Sequence, residues 1–251
     1  MSGDPLPLGK LPIPLLSRFL GEISPQDPDV LVGPGIGMDA AVIRFQDVSL
    51  VFKTDPITFA TDDIAWYLVT INANDIVCMG GIPEYILVTV LLPEGSTTEQ
   101  GAHDLLLSLK RACDANEVVL AGGHTEITHG IDRPIAVGFM VGTLSQHGFV
   151  SACDARPGDD VLLSKAIPLE ATALLAREFA AMLDLDPGTL ERARNLIYDP
   201  GISVRREALI ALSTGGVTAM HDPTEGGVAT GLYEMACASG RAFDARKALP
   251  Y

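Results

Sequence analysis

Apolar residues recur along this chain in two rhythms. Short β-branched runs bounded by Gly, Pro or Asp predict strands at Ala40–Phe45, Leu50–Lys53, Tyr85–Leu92, Val118–Ala121, Ile135–Leu144 and Val161–Ser164. Longer stretches predict helices at Pro14–Ile23, Asp63–Met79, Thr97–Asn116, Leu169–Leu183, Thr189–Tyr198, Ser203–Leu212 and Gly227–Ser239. Thr97 with Gln100 three positions on has the form of a capping box and sets the start of the third helix. Alternation on this scale predicts an α/β (α+β) protein rather than a sandwich or a bundle. The apolar pattern breaks at Ser151–Asp160, where Pro157, Gly158 and two aspartates intervene. That break divides the chain into an N-terminal domain, 1–152, and a second domain, 153–251.

Composition narrows the function. The 251 residues carry 17 Lys and Arg against 32 Asp and Glu, a formal charge of −15, with no basic stripe for a nucleic-acid backbone. No run approaches the ~20 apolar residues of a membrane helix. The amino terminus is broken by Pro5, Pro7, Pro12 and Pro14 and has no signal-peptide core. The cysteines Cys78, Cys113, Cys153 and Cys237 are too far apart for a CxxC pair and read as reduced thiols. These features together predict a soluble, cytoplasmic protein.

Four segments carry candidate chemistry. In GPGIGMDAAVI, Gly33, Gly35 and Gly37 leave backbone N–H groups open to a ligand, and Asp39 follows just before a strand. A glycine-rich surface turn with a solvated aspartate is the alternative. Lys53-Thr54-Asp55-Pro56 puts Asp55 at a strand end, where it could share a cation with Asp39 or simply start a turn. Asn72, Asn74 and Asp75 lie in a helix apolar nearly all round, so an ionised Asp75 needs a partner, either a metal or a basic side chain. In AGGHTEIT, Gly122 and Gly123 predict a sharp turn that projects His124, Thr125 and Glu126. Asp39, Asp55, Asp75 and Glu126 thus form a candidate set for Mg2+ with a nucleotide, since magnesium favours carboxylates plus substrate phosphates. Few lysines stand near these motifs, which fits metals rather than ammonium groups meeting phosphates.

In order and spacing the motifs resemble the aminoimidazole ribonucleotide synthase superfamily. That superfamily includes formylglycinamidine synthase, thiamine-monophosphate kinase, selenophosphate synthetase and the hydrogenase-maturation protein HypE. Asp75 to Pro83 is similar to its D-x4-G-A-x-P element, with Gly81 in place of Ala. His221 to Ala236, HDPTEGGVATGLYEMA, resembles the DPTxGG segment of the HypE branch. The resemblance implies two α/β domains, a homodimer formed through the N-terminal domain, and ATP with Mg2+ near the pairing surface. It implies ATP-dependent phosphorylation or dehydration of a small-molecule or carrier-bound substrate. On this chain Asp39, Asp55, Asp75 and Glu126 would hold Mg2+. Gly33, Gly35, Gly37, Asn72, Asn74, Gly122, Gly123, His124 and Thr125 would meet the nucleotide, and Lys165, Asp222 and Thr224 the substrate. Asp222 and Thr224 read equally well as caps of the last helix.

The resemblance has gaps. Ala166, Pro168 and Ala171 replace glycines of a family segment, which favours a non-catalytic nucleotide-binding or scaffold member. The C-terminal cysteine of HypE has no counterpart after Cys237, and a selenophosphate synthetase would need a reactive Cys or selenocysteine well before Cys78. A kinase of the thiamine-monophosphate type is a third reading. Only Arg241 to Tyr251 follow the last helix, so the second domain is expected to be shortened, completed by a partner chain, or poorly ordered.

Overall fold

The computed structural model describes residues 6–244 apart from 7, 24, 26 and 61. The segment 245–251, on which the expectation about the chain's end partly rests, lies outside the described residues. A six-stranded sheet organises the first half. Its strands are β1 (Val30–Val32), β2 (Ala41–Phe45), β3 (Val48–Ile57), β4 (Gly81–Pro93), β5 (Val119–Thr128) and β6 (Ile135–Leu144), in spatial order β1-β2-β3-β6-β4-β5. Only β4 and β5 are parallel; the crossover such a pair needs is α3 (Glu99–Ala115).

The helix α2 (Ile64–Cys78) lies against β3, β4 and β6 and explains its own composition. It has no breaker, and fourteen of its fifteen residues are buried, so it has almost no polar face to give to water. Leu68, Val69 and Ile76 meet Val42, Val51, Ile86 and Met140 of the sheet in one continuous core. The opposite face of the sheet leaves Ile82, Tyr85, Leu87 and Phe139 exposed.

The second half is helical among the described residues: α4 (Leu169–Glu178), α5 (Pro187–Asn195), α6 (Arg205–Ser213) and α7 (Gly227–Ser239), after α1 (Ile13–Ile23) at the start of the chain. Arg177 of α4 clamps it to the sheet half. Its guanidinium donates to Asp63 and, at 2.8 Å, to Asp62, just before α2, and also to the Arg194 carbonyl. Val161–Ser164 is not a strand. It is irregular and exposed, and no strand follows Leu144 among the described residues for it to pair with.

Four other local expectations change, each for a physical reason. The cap of α3 is Thr98, which has the extended backbone an N-cap needs and accepts from Gly101 N at 3.0 Å. Thr97 instead donates to Pro93 O, and Gln100 to Asp104. The strand β3 does not stop at Lys53. Because β2 pairs with it only as far as Phe52, Lys53–Ile57 has a neighbour on one side, and Pro56 sits on that half-open edge, where its missing N–H costs little. Gly122 and Gly123 make no turn: both lie inside β5. A Cβ on Gly123 would fall 1.9 Å from the Val88 carbonyl oxygen, so only glycine lets β5 run against β4 there. Asp222 and Thr224 do not cap α7; its cap is Gly226, with no side-chain bond.

Candidate functional site

Acidic side chains converge where the loop before β2, the half-open edge of β3, the middle of α2 and the segment before α7 meet. Asp39 ends the glycine-rich loop, and Asp75 faces the sheet from α2. Lys53 and Asp55 are two apart on β3 and so share a face. Lys53 Nζ lies 3.0 Å from Asp75 Oδ1 and 3.4 Å from Asp55 Oδ2. On the far side, His221 Nδ1 is 2.5 Å from Asp39 Oδ1 and its Nε2 is 3.0 Å from Glu234 Oε2 on α7. Asp39, His221 and Asp222 each offer a ligand atom within 4.8 Å of the others.

The charges do not balance. Asp39 Oδ2, Asp75 Oδ2 and both oxygens of Asp222 are buried with no hydrogen-bond partner among the described residues. Burial, then the neighbouring Asp222, pushes the Asp75 carboxyl well above the usual carboxylate range, although Lys53 pulls the other way. Burial followed by Asp39 does the same to Asp222. Burial alone would lower Lys53, but Asp75 and Asp55 outweigh it and hold the ammonium above its ordinary value. Burial would also lower His221, and its bonds to Asp39 and Glu234 override that. A site with this many unpartnered carboxylate oxygens is short of positive charge. Mg2+, a hard cation that takes oxygen ligands, fits this donor set.

The structure redistributes the residues singled out from sequence. Asp39, Asp55 and Asp75 are brought together, and Asp222 joins them rather than standing apart with a substrate. Glu126 does not join. It pairs with His124 at 3.1 Å on β5, beside exposed Thr125. The register runs from Asp55 through Gly138 and Val88 to Gly123, so β5 lies three strand spacings, about 14 Å, from β3.

The asparagines prove to be frame. Asn72 accepts from Asp55 N and donates to the Leu68 and Asp55 carbonyls, and Asn74 binds both Ile202 O and Val204 N at 2.9 Å. Both amides thus brace neighbouring backbone segments. Lys165 is likewise occupied by the carbonyls of Pro200, Gly201 and Ser203, with Glu207 at 3.5 Å, so it does not reach out to a substrate. Thr224 gives its carbonyl to Gly227 N. Among the loop glycines, Gly37 (φ +74°) is required for packing: a Cβ there would lie 2.8 Å from the Glu234 carbonyl. Gly33 and Gly35 stand in the same loop without so close a contact to α7.

Three participants went unseen in the sequence. Lys53, the cation that stands against Asp75, has no signature beyond its place before Asp55. His221 opens the HDPTEGG motif with nothing local to link it to Asp39, and Glu234 lies within the apolar pattern of α7. The one available signal was their spacing, 13 residues apart on either side of the glycines that open α7.

Comparison with known proteins agrees with this architecture. The model for the AIR synthase related protein N-terminal domain matches residues 37–144, and that for the C-terminal domain matches 156–247. A hydrogenase expression/formation protein of Methanocaldococcus jannaschii is 28% identical over 218 residues, 82% of this chain and 61% of that protein. The matches span between 43% and 63% of the length of the curated relatives. Among solved structures, AaThiL complexed with AMPPCP and TMP superposes with a TM-score of 0.70 at 21% identity, over 91% of this chain and 69% of that one. HypE in complex with ATP gives 0.63 at 24% identity, over 85% and 62%. The ordered motifs, the mixed sheet and helices, and the two domain models matched in tandem show that this chain belongs to the AIR synthase related family.

Proposed function

We propose that this chain binds ATP together with Mg2+ and uses it to activate a small or carrier-bound substrate by phosphorylation or dehydration, in the manner of the HypE-like branch. The observation that carries this is the cation-poor cluster of Asp39, Asp75 and Asp222, whose buried, unpartnered oxygens suit a metal better than any other partner, with the more exposed Asp55 at its edge. A bound Mg2+ would neutralise phosphate charge. Asp39, Asp75 and Asp222 would hold it, Asp55 would close the exposed side, and Lys53 would keep Asp75 ionised and oriented. Phosphoryl transfer needs mostly positioning and electrostatic stabilisation, which such a cluster can provide. Solved structures of like fold carry ATP or AMPPCP, which supports a nucleotide here.

Calorimetry tests the first step. ATP is expected to bind at least about tenfold more tightly with Mg2+ than in EDTA, a difference of about 1.4 kcal/mol. Equal binding in both would remove the metal from the proposal, and no binding in either would remove the nucleotide. ADP release with a panel of phosphate acceptors and carbamoylated carriers then separates an enzyme from a member that binds without turnover.

The same proposal includes a homodimer. Ile82, Tyr85, Leu87 and Phe139 form an exposed apolar sheet face, and Glu126 with His124 stands on edge strand β5, out of reach of the aspartates of its own chain. A second copy is the simplest means for β5 to meet such a cluster. Light scattering is expected to report a dimer for the wild type and a monomer for Leu87→Arg. Because Leu87 is 41% exposed, the melting temperature of that monomer should fall only slightly. A monomeric wild-type protein would contradict the pairing.

A further inference from the structure

We infer that Cys153 and Cys237 form one dithiol site, which closes reversibly to a disulfide when it meets a small-molecule disulfide such as oxidised glutathione. The inference stands apart from the nucleotide reading, because neither cysteine belongs to the acidic cluster. The four cysteines of the chain divide by environment. Cys78 and Cys113 are buried, and burial pushes both thiols up, Cys113 to about 11, so neither supplies much thiolate at neutral pH. Cys153 and Cys237 are exposed. They also share a place: both line one cavity of about 490 Å3 beside the glycine-rich loop, where Ile36 and Met38 form another wall. Cys153 is the middle residue of a single 3-10 turn, Ala152–Asp154, and this turn packs against α7, the helix that carries Cys237.

Both elements are anchored. Ser151 Oγ accepts from Cys153 N at 3.2 Å and fixes the turn, while the Glu234 carbonyl of α7 sits against Gly37. The thiols are thus held at one cavity by packed structure rather than by loose chain, which raises the effective concentration of each for the other. Tyr233 stands one turn before Cys237 on α7, and its hydroxyl hydrogen-bonds that thiol. A donor there favours the thiolate, the attacking species. In the first step the Cys237 thiolate attacks one sulfur of oxidised glutathione, whose S–S bond breaks as the mixed disulfide forms, and one glutathione thiolate leaves. The Cys153 thiolate then attacks the Cys237 sulfur and expels the second glutathione thiolate. The two cysteine protons pass through solvent to the two glutathione thiolates. The protein loses two electrons, and the small disulfide is reduced to two thiols. The new bond staples α7 to the turn at Cys153, along the wall of the loop that leads into Asp39.

The experiment titrates the wild-type protein across ratios of oxidised to reduced glutathione, counts free thiols after unfolding and maps linked peptides by mass spectrometry. The count is expected to fall from four to two, with Cys153 and Cys237 as the linked pair. The glutathione ratio at half closure should favour the disulfide at least about tenfold more in the native protein than in urea, where only chain connectivity brings the thiols together. Cys153→Ser, a change at an exposed position, should stop the reaction at a mixed disulfide between Cys237 and glutathione. Glutathione taken up at both cysteines without closure would overturn the inference, as would a link no more favourable in the fold than in urea. Links between chains, or no loss of thiols at all, would overturn it too. The wild-type titration needs no variant, and none of its outcomes bears on ATP or Mg2+ binding, which calorimetry judges separately.

Discussion

Replacing Lys53 by methionine is expected to cost the metal-free protein about 3–5 kcal/mol at neutral pH, the penalty for stranding a buried charge. That is a large fraction of the stability available to a typical domain. Methionine keeps most of the apolar stem, so the loss reports the ammonium, which lies 3.0 Å from Asp75 Oδ1 and 3.4 Å from Asp55 Oδ2. The pH dependence has a definite sign. Burial, then Asp222, raises the folded pKa of Asp75 above its unfolded value of about 3.9. The folded state therefore holds the Asp75 proton more tightly than the unfolded chain. The resulting stability is complete below the unfolded value and is lost as pH rises through the folded one. Removing Lys53 raises that folded value further, so the deficit should be greatest at neutral pH and shrink on mild acidification. A saturating divalent cation should also restore much of it. Urea unfolding at neutral and mildly acidic pH, with and without Mg2+, measures all three effects. An equal deficit in every condition would mean that Lys53 acts through packing alone.

Much of the frame could be read from the pattern of residues, and the exceptions share a cause. The long helix α2 was visible because fifteen residues without a breaker, apolar nearly all round, have few other solutions. Strands β2, β4 and β6 were visible for the equivalent reason. Misread segments were those where a tertiary neighbour decides the meaning of a residue. Pro56 looks like a strand terminator until β2 is seen to end opposite Phe52 and leave β3 half-open. Gly122-Gly123 looks like a turn until β5 is seen to press against the Val88 carbonyl. Val161–Ser164 has strand composition but no neighbour to pair with among the described residues. At three residues, β1 is too short to leave a pattern.

The site divides in the same way. Asp75 was legible because an ionised carboxylate in an apolar helix demands a partner, and Asp39 and Asp55 because they sit in recognisable motifs. The asparagines beside Asp75 were misread because polarity inside an apolar helix has two causes, ligands and backbone repair. Asn72 and Asn74 do the second, each bonding backbone groups of a neighbouring segment. His221 was out of reach because its partner Asp39 is 182 positions away, and no local pattern encodes that contact. A count of lysines near the motifs gives Lys53 no weight, although its ammonium stands 3.0 Å from Asp75 and partly offsets the burial of that carboxylate.

Asp222→Asn is expected to move stability and binding in opposite directions. In the metal-free protein Asp222 is the neighbour that most raises the Asp75 pKa, and its own carboxyl is pushed up by burial and then by Asp39. Asparagine removes that repulsion and nearly keeps the shape, so the apo protein should gain about 1 kcal/mol, within the range found when strained functional groups are replaced. The same change replaces one of two unpartnered oxygens by an amide nitrogen and removes the charge, and Mg2+-dependent ATP affinity should fall by at least about 100-fold, or about 2.7 kcal/mol. A purely structural carboxylate would behave differently, since its loss would lower stability and leave ATP binding intact. Thermal melts without metal, set beside calorimetric titrations with Mg2+ and ATP, distinguish the two. If stability falls and nucleotide affinity holds, Asp222 belongs to the scaffold, and the metal would have to be held by Asp39 and Asp75 without it.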